Sequence, residues 1–190
     1  AALGFYEADS HRLVDIAECP LLVPELADLL PPLRAELASL LKEGDGAELH
    51  ATATDSGIDL SLHWKRAPAP AVFAALGDAA RRLRLARLVW NGEPVSLAAQ
   101  PMLAIDRFRV ALPPEAFLQP TREGERILQA LVREGVGDAK RVADLFSGCG
   151  TFALGLGEKR GIHAFDSGAA MLDALAKAAT DGAAAARAEA

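Results

Sequence analysis

Residues 142–152 read Val-Ala-Asp-Leu-Phe-Ser-Gly-Cys-Gly-Thr-Phe. A short apolar run ends in two glycines, and helix-forming residues follow. That order calls for a buried strand that turns sharply into a helix. Gly148 and Gly150 permit backbone angles that other residues resist, and they let the main chain come close to a ligand. Ile162 to Asp166 is a second apolar run, so a second strand is expected with Asp166 at its end. Strand, loop, helix and strand in this order open a doubly wound parallel sheet. A carboxylate at the end of the second strand can accept both hydroxyls of a ribose. The pattern predicts an adenosine-type ligand lying across the ends of two parallel strands.

Several ligands share that chemistry. Gly148-x-Gly150-x-x-Ala153 also fits the dinucleotide fingerprint with alanine in third place. Asp144 favours S-adenosylmethionine, because a carboxylate on the approach to the loop attracts an amino-bearing or cationic ligand and repels a pyrophosphate. Ser147 further lengthens the path from strand to first glycine. Two other readings stay open on the residues alone. One is an NAD(P)-dependent Rossmann oxidoreductase using the same loop. The other is a non-catalytic α/β interaction domain in which the loop is a plain tight turn.

Upstream of the loop the chain mixes strands and helices. Leu3 to Tyr6 and His11 to Ile16 form a hairpin. Leu26, Leu29, Leu30, Leu33, Leu37, Leu40 and Leu41 mark one face of a helix that Pro31-Pro32 must break or restart, and Lys42 to Gly46 closes it. Strands at Glu48 to Thr54 and Ile58 to Trp64, a helix from Ala69 to Arg84, and a strand from Ala86 to Trp90 with a turn at Asn91-Gly92 complete an α/β domain over residues 1–112. Its sheet is at least partly antiparallel. Pro113-Pro114 marks a boundary. Residues 113–190 then read as the first, truncated part of a Rossmann-like domain. Its helix at Thr121 to Glu134 carries Ile127, Leu128, Leu131 and Val132 on one face. Further helices are expected at Thr151 to Lys159 and from Ala169 to about Ala186. Only two strands of the sheet are expected.

Apolar residues make up 51% of the 190 and charged residues 24%, enough for a packed core. No apolar stretch reaches a membrane span's length, and a cytoplasmic location is expected. The formal net charge is −6, a poor footprint for a nucleic-acid binder. Arg81, Arg82, Arg84 and Arg87 form the dense basic run; it reads either as phosphate contacts or as a solvated helix end.

The stretch Asp144 to Leu154 resembles the S-adenosylmethionine loop of the RNA (uracil-5-)-methyltransferases, the family of tRNA and 23S rRNA m5U enzymes. Phe117-Leu118-Gln119-Pro120 is similar to that family's phenylalanine-x-glutamine segment. Gly4-Phe5-Tyr6, Ser10-His11, Val14-Asp15-Ile16 and Cys19-Pro20-Leu21-Leu22 are similar to its central domain. The resemblance implies a small mixed α/β central domain followed by the first half of a Rossmann-like S-adenosylmethionine-dependent methyltransferase domain. It also implies that Gln119, Phe146, Gly148, Gly150, Thr151 and Asp166 contact the cofactor. Thr151 replaces an asparagine expected there, and Asp166 a glutamate. Read without the family, Gln119 is a loop residue capping the next helix.

In the family a cysteine thiolate attacks uracil C6 and a base later removes the C5 proton. By the resemblance both lie beyond residue 190. The chain therefore carries no catalytic residue and is expected to be an inactive fragment of a monomeric enzyme acting on tRNA or 23S rRNA. Some members hold a [4Fe–4S] cluster, and Cys19-Pro20 resembles its fourth cysteine. The other three would precede Ala1, so a cluster is expected only in a longer protein. Cys149 reads as a small packing residue.

Overall fold

The computed structural model describes residues 2–42, 44–65, 69–157, 160–182 and 186–189 (the last segment by its backbone). Two compact units divide the chain, Ala1–Pro101 and Met102–Ala190.

In the first unit, strands β1 (Gly4–Tyr6) and β2 (Leu13–Asp15) form an antiparallel hairpin. Arg34 clips it to helix α1 (Pro24–Leu40) by donating to Ile16 O at 2.6 Å and pairing with Asp15. Helix α1 runs unbroken through Pro31 and Pro32, contrary to the break expected there. An interior proline costs roughly 3 kcal/mol. Burial of Leu29, Leu33 and Leu37 on one face contributes about 1.5–3 kcal/mol each and offsets it.

Strands β3 (Ala47–Thr54), β4 (Gly57–Trp64), β5 (Arg87–Trp90) and β6 (Glu93–Leu97) form one sheet in that order. Its pairings are antiparallel, parallel and antiparallel. Helix α2 (Pro70–Arg82) makes the crossover that the parallel pair needs. Asn91 and Gly92, at φ 46° and 85°, form the tight turn from β5 to β6. The Asn91 side chain also closes the end of β4: its Oδ1 accepts from Trp64 N–H at 2.9 Å and its Nδ2 donates to Trp64 O at 2.8 Å. Glu43, Arg66 and, within the expected helices, Lys159 and residues 183–185 lie outside the described residues.

The second unit opens with hairpin β7 (Met102–Ile105) and β8 (Phe108–Ala111). Leu103, Ile105, Phe108 and Val110 share a core with Leu112, Ala116, Cys149, Leu154 and Ala178. The hairpin thus packs with the C-terminal part of the chain, and Pro113-Pro114 falls inside this unit.

Helix α3 (Arg122–Val136) starts at Thr121, whose Oγ1 accepts from Gly124 N–H at 3.0 Å. The cap is therefore Thr121 and not Gln119. Strands β9 (Arg141–Leu145) and β10 (Gly161–Phe165) pair in parallel across the one-turn helix α4 (Ala153–Leu156), shorter than expected. Helix α5 (Ala169–Asp181) ends well before Ala186, and β11 (Ala186–Glu189) adds a third parallel strand in the order β11-β10-β9. Alanine's helix preference yields there to the open edge of β10. Val142, Ile162 and Ala164 turn to one face of this sheet and pack with Val132, Val136, Ala153, Leu156 and Leu175.

Candidate functional site

The chain leaves β9 at Leu145 and bends at Phe146, whose φ of 61° is unusual for an aromatic residue. Such strain costs roughly 1–3 kcal/mol and concentrates at ligand sites. The Phe146 ring is 91% exposed, so no packing among the described residues offsets it. The bend is closed by main-chain bonds. Ser147 N–H donates to Phe165 O at 3.0 Å, and Gly150 N–H donates to Ser147 O at 2.9 Å.

The two glycines do different work. Both have positive φ, 53° at Gly148 and 95° at Gly150. A Cβ on Gly148 would meet nothing within 4 Å. A Cβ on Gly150 would lie 2.9 Å from Leu175 Cγ and 3.0 Å from Leu154 Cγ. Gly148 borders open space, whereas Gly150 lets the core close up beneath the loop.

Asp166 follows β10 and is half-buried. Its Oδ2 accepts from Gly148 N–H at 2.9 Å and its Oδ1 from Gly168 N–H at 2.8 Å. It therefore clamps the loop, and each oxygen keeps a second lone pair. Asp144 Oδ2 and Ser147 Oγ are buried with no partner. Burial pushes the Asp144 carboxyl up; a bond from Ala153 N–H partly opposes this, and the charge of Asp166 adds to it. An unpaired buried polar group costs about 1–3 kcal/mol, and it marks a place where a missing partner belongs. Acceptors at Asp144, Ser147 and Asp166, open space at Gly148 and a bare aromatic ring suit a nucleoside bearing hydroxyls and an amino group. A pyrophosphate would meet two carboxylates.

Cys149 sits in the middle of the loop and is buried, with Sγ 3.4 Å from Met171 Sδ. Burial, and then the charge of Asp166, push its thiol up to about 11. It packs in the core, and so high a pKa leaves little reactive thiolate at neutral pH.

No protein-family model matches the chain. An uncharacterised RNA methyltransferase of Brucella melitensis biotype 1 is 41% identical over 174 residues, which is 91% of this chain and 42% of that protein. The 23S rRNA (uracil-C5)-methyltransferase RlmD of Halomonas elongata is 31% identical over 196 residues, 92% of this chain and 40% of that protein. Both relatives are named as RNA methyltransferases, and the chain is similar to each of them over nine tenths of its own length. It spans about two fifths of the length of these relatives. In three dimensions the Pyrococcus abyssi tRNA (uracil-54, C5)-methyltransferase, solved with S-adenosyl-L-homocysteine, aligns with a TM-score of 0.76 at 18% identity. That alignment covers 99% of this chain and 52% of that one, and it establishes the mixed α/β, Rossmann-like fold.

Within this chain, Phe146, Gly148, Gly150, Thr151 and Asp166 belong to one loop and its clamp. Gln119 is half-buried beside Leu118, which packs on the cluster that contains Cys149 and Ala116. Cys19 is half-buried and free. Among the described residues no group of three or more His, Cys, Asp or Glu side chains gathers to hold a metal, so they do not fit a four-thiolate cluster. Three of the four arginines in the basic run sit in ion pairs: Arg81 with Asp78, Arg82 with Glu36 at 2.6 Å, and Arg87 with Asp59 at 2.6 Å, the last pair buried.

Sequence reasoning missed two residues. Gln129 Nε2 donates to Thr151 O and to Glu125 Oε1, both at 3.1 Å. The inward face of α3 is Glu125, Gln129, Val132 and Val136, while Ile127, Leu128 and Leu131 are exposed. Glu125 and Gln129 stand four apart, the spacing of a side-chain pair, and that was the available signal.

Proposed function

We propose that this chain supplies the S-adenosylmethionine site of an RNA (uracil-5-)-methyltransferase. The observation that carries the reading is the glycine loop with its unpaired acceptors. Asp144 Oδ2 and Ser147 Oγ are buried without donors, and a Cβ on Gly148 would meet open space. Gln119, Phe146, Gly148, Gly150, Thr151 and Asp166 would hold the nucleoside. Asp166 keeps lone pairs for the ribose hydroxyls, Phe146 offers a ring face to the base, and Asp144 supplies charge for the amino group. When bound, S-adenosylmethionine supplies a methyl group on a sulfonium sulfur. The relatives' names support RNA as the substrate, with tRNA and 23S rRNA the two candidates. Making uracil C5 nucleophilic enough to take that methyl group needs a thiolate that adds at C6, and Cys149 is too buried and too weakly acidic to provide one. That step is assigned to the longer protein, as is any [4Fe–4S] cluster reached by Cys19. Two free cysteines agree with a reducing, cytoplasmic setting, and a monomer is the simplest form of the reading.

Thermal unfolding with added nucleosides tests it. A ligand that binds only the folded state raises the melting temperature. S-adenosyl-L-homocysteine should raise it and NAD should not. The Asp144→Asn variant should bind S-adenosyl-L-homocysteine about tenfold more weakly, as expected for loss of one charge-assisted bond. A shift with NAD alone would favour an oxidoreductase, and no shift with either would favour an interaction domain.

A further inference from the structure

The side-chain amide of Gln129 carries two hydrogens, and the fold uses both. Its nitrogen lies 3.1 Å from Glu125 Oε1 and 3.1 Å from the main-chain oxygen of Thr151. Thr151 closes the glycine loop. Glu125 lies one turn earlier on the same helix, where burial pushes its carboxyl up against the opposing fields of Arg122 and Arg126. Gln129 itself is half-buried, on the face of α3 that also carries Val132 and Val136 into the core. The same helix begins at the Thr121 cap, two positions after Gln119.

One helix thus grips the loop from its middle, and its cap stands two positions after Gln119. We propose that Gln129, oriented by Glu125, is a positioning residue that fixes the glycine loop against α3, so that Gln119 and Phe146–Thr151 stand in register around the nucleoside. It does so without touching the nucleoside. A glutamine is suited to the task because a bare carbonyl and a carboxylate both need a donor, and its amide nitrogen, with two N–H groups, serves both at once. An apolar residue there would leave the Thr151 oxygen without that donor.

This inference rests on the nucleoside reading of the loop, and the test separates the two. Amide hydrogen exchange on the unliganded 190-residue chain reports the loop alone, through Gly150 N–H bonded to Ser147 O and Leu154 N–H bonded to Gly150 O. Titration with S-adenosyl-L-homocysteine reports the site. The Gln129→Leu variant should exchange faster at Gly150 and Leu154 and bind about tenfold more weakly, the scale of one lost hydrogen bond. The nearly isosteric Gln129→Glu variant places an acceptor against two acceptors at pH 8 and regains a donor when protonated. Measured against the wild type at each pH, its affinity should be about tenfold down at pH 8 and recover towards pH 5. A side chain that merely fills space would show no such recovery. Unchanged exchange in Gln129→Leu, unchanged affinity, or a pH-indifferent Gln129→Glu would overturn the proposal. If the wild type takes up no S-adenosyl-L-homocysteine, the nucleoside reading falls, and so does positioning for it. Faster exchange in Gln129→Leu would then support only a clamp on the loop.

Discussion

Asp144 is held in an electrostatic conflict. Its carboxyl is half-buried with one oxygen unpaired, near the like charge of Asp166. A carboxyl whose folded pKa is raised binds more protons in the folded state than in the unfolded one. Stability therefore falls as pH rises from the ordinary aspartate range through the raised value. The Asp144→Asn variant should lose that pH dependence and be more stable than the wild type at neutral pH, while binding the nucleoside less well. Chemical denaturation at several pH values checks this. The two glycines should also separate. Gly150→Ala meets Leu154 and Leu175 at positive φ and should cost about 2–4 kcal/mol. Gly148→Ala meets only the left-handed backbone penalty, about 1 kcal/mol, and should act mainly on ligand affinity. Both glycines were visible in the sequence as a loop signature, but their division of labour was not. It depends on which side of the turn Leu175, distant in sequence, comes to occupy.

At the scale of elements, the strand–loop–helix–strand unit was legible because apolar runs and glycines mark it locally. Helix α3 shows where periodicity misleads. Its apolar residues Ile127 and Leu131 are 54% and 57% exposed, and its inward face carries a glutamate and a glutamine. A helix that must satisfy a loop carbonyl needs donors on that side, and a hydrophobicity pattern cannot register such a demand. Helix α1 and strand β11 escaped for a related reason. Tertiary burial outweighs two prolines in one case, and pairing with β10 outweighs alanine's helix preference in the other. The end of α5 offers a further test. A Cβ on Gly182 would come within 2.3 Å of the buried Phe108 ring. Gly182→Ala should therefore cost about 1–3 kcal/mol in a denaturant titration.

At the scale of the whole molecule, the arginines that looked like a nucleic-acid patch are largely spent on carboxylates. The Asp59–Arg87 pair is bidentate, at 2.8 and 2.6 Å, and buried across β4 and β5. Removing one partner strands the other charge, so Asp59→Ala should destabilise the first unit by about 3–5 kcal/mol. Tryptophan emission reads this directly, since Trp64 and Trp90 stack at 5.4 Å in the same sheet. The formal charge of the whole chain is −6. No described helix is long and apolar enough to cross a membrane. The burial of Cys149 has a practical corollary. At pH 7 a maleimide dye should couple once per folded chain, at Cys19, and twice only after denaturation, with mass spectrometry counting the adducts. One thiol in the first unit thus serves as a chemical handle while the other is shut inside the glycine loop, so a fluorophore can be installed without substituting any residue proposed to hold the nucleoside.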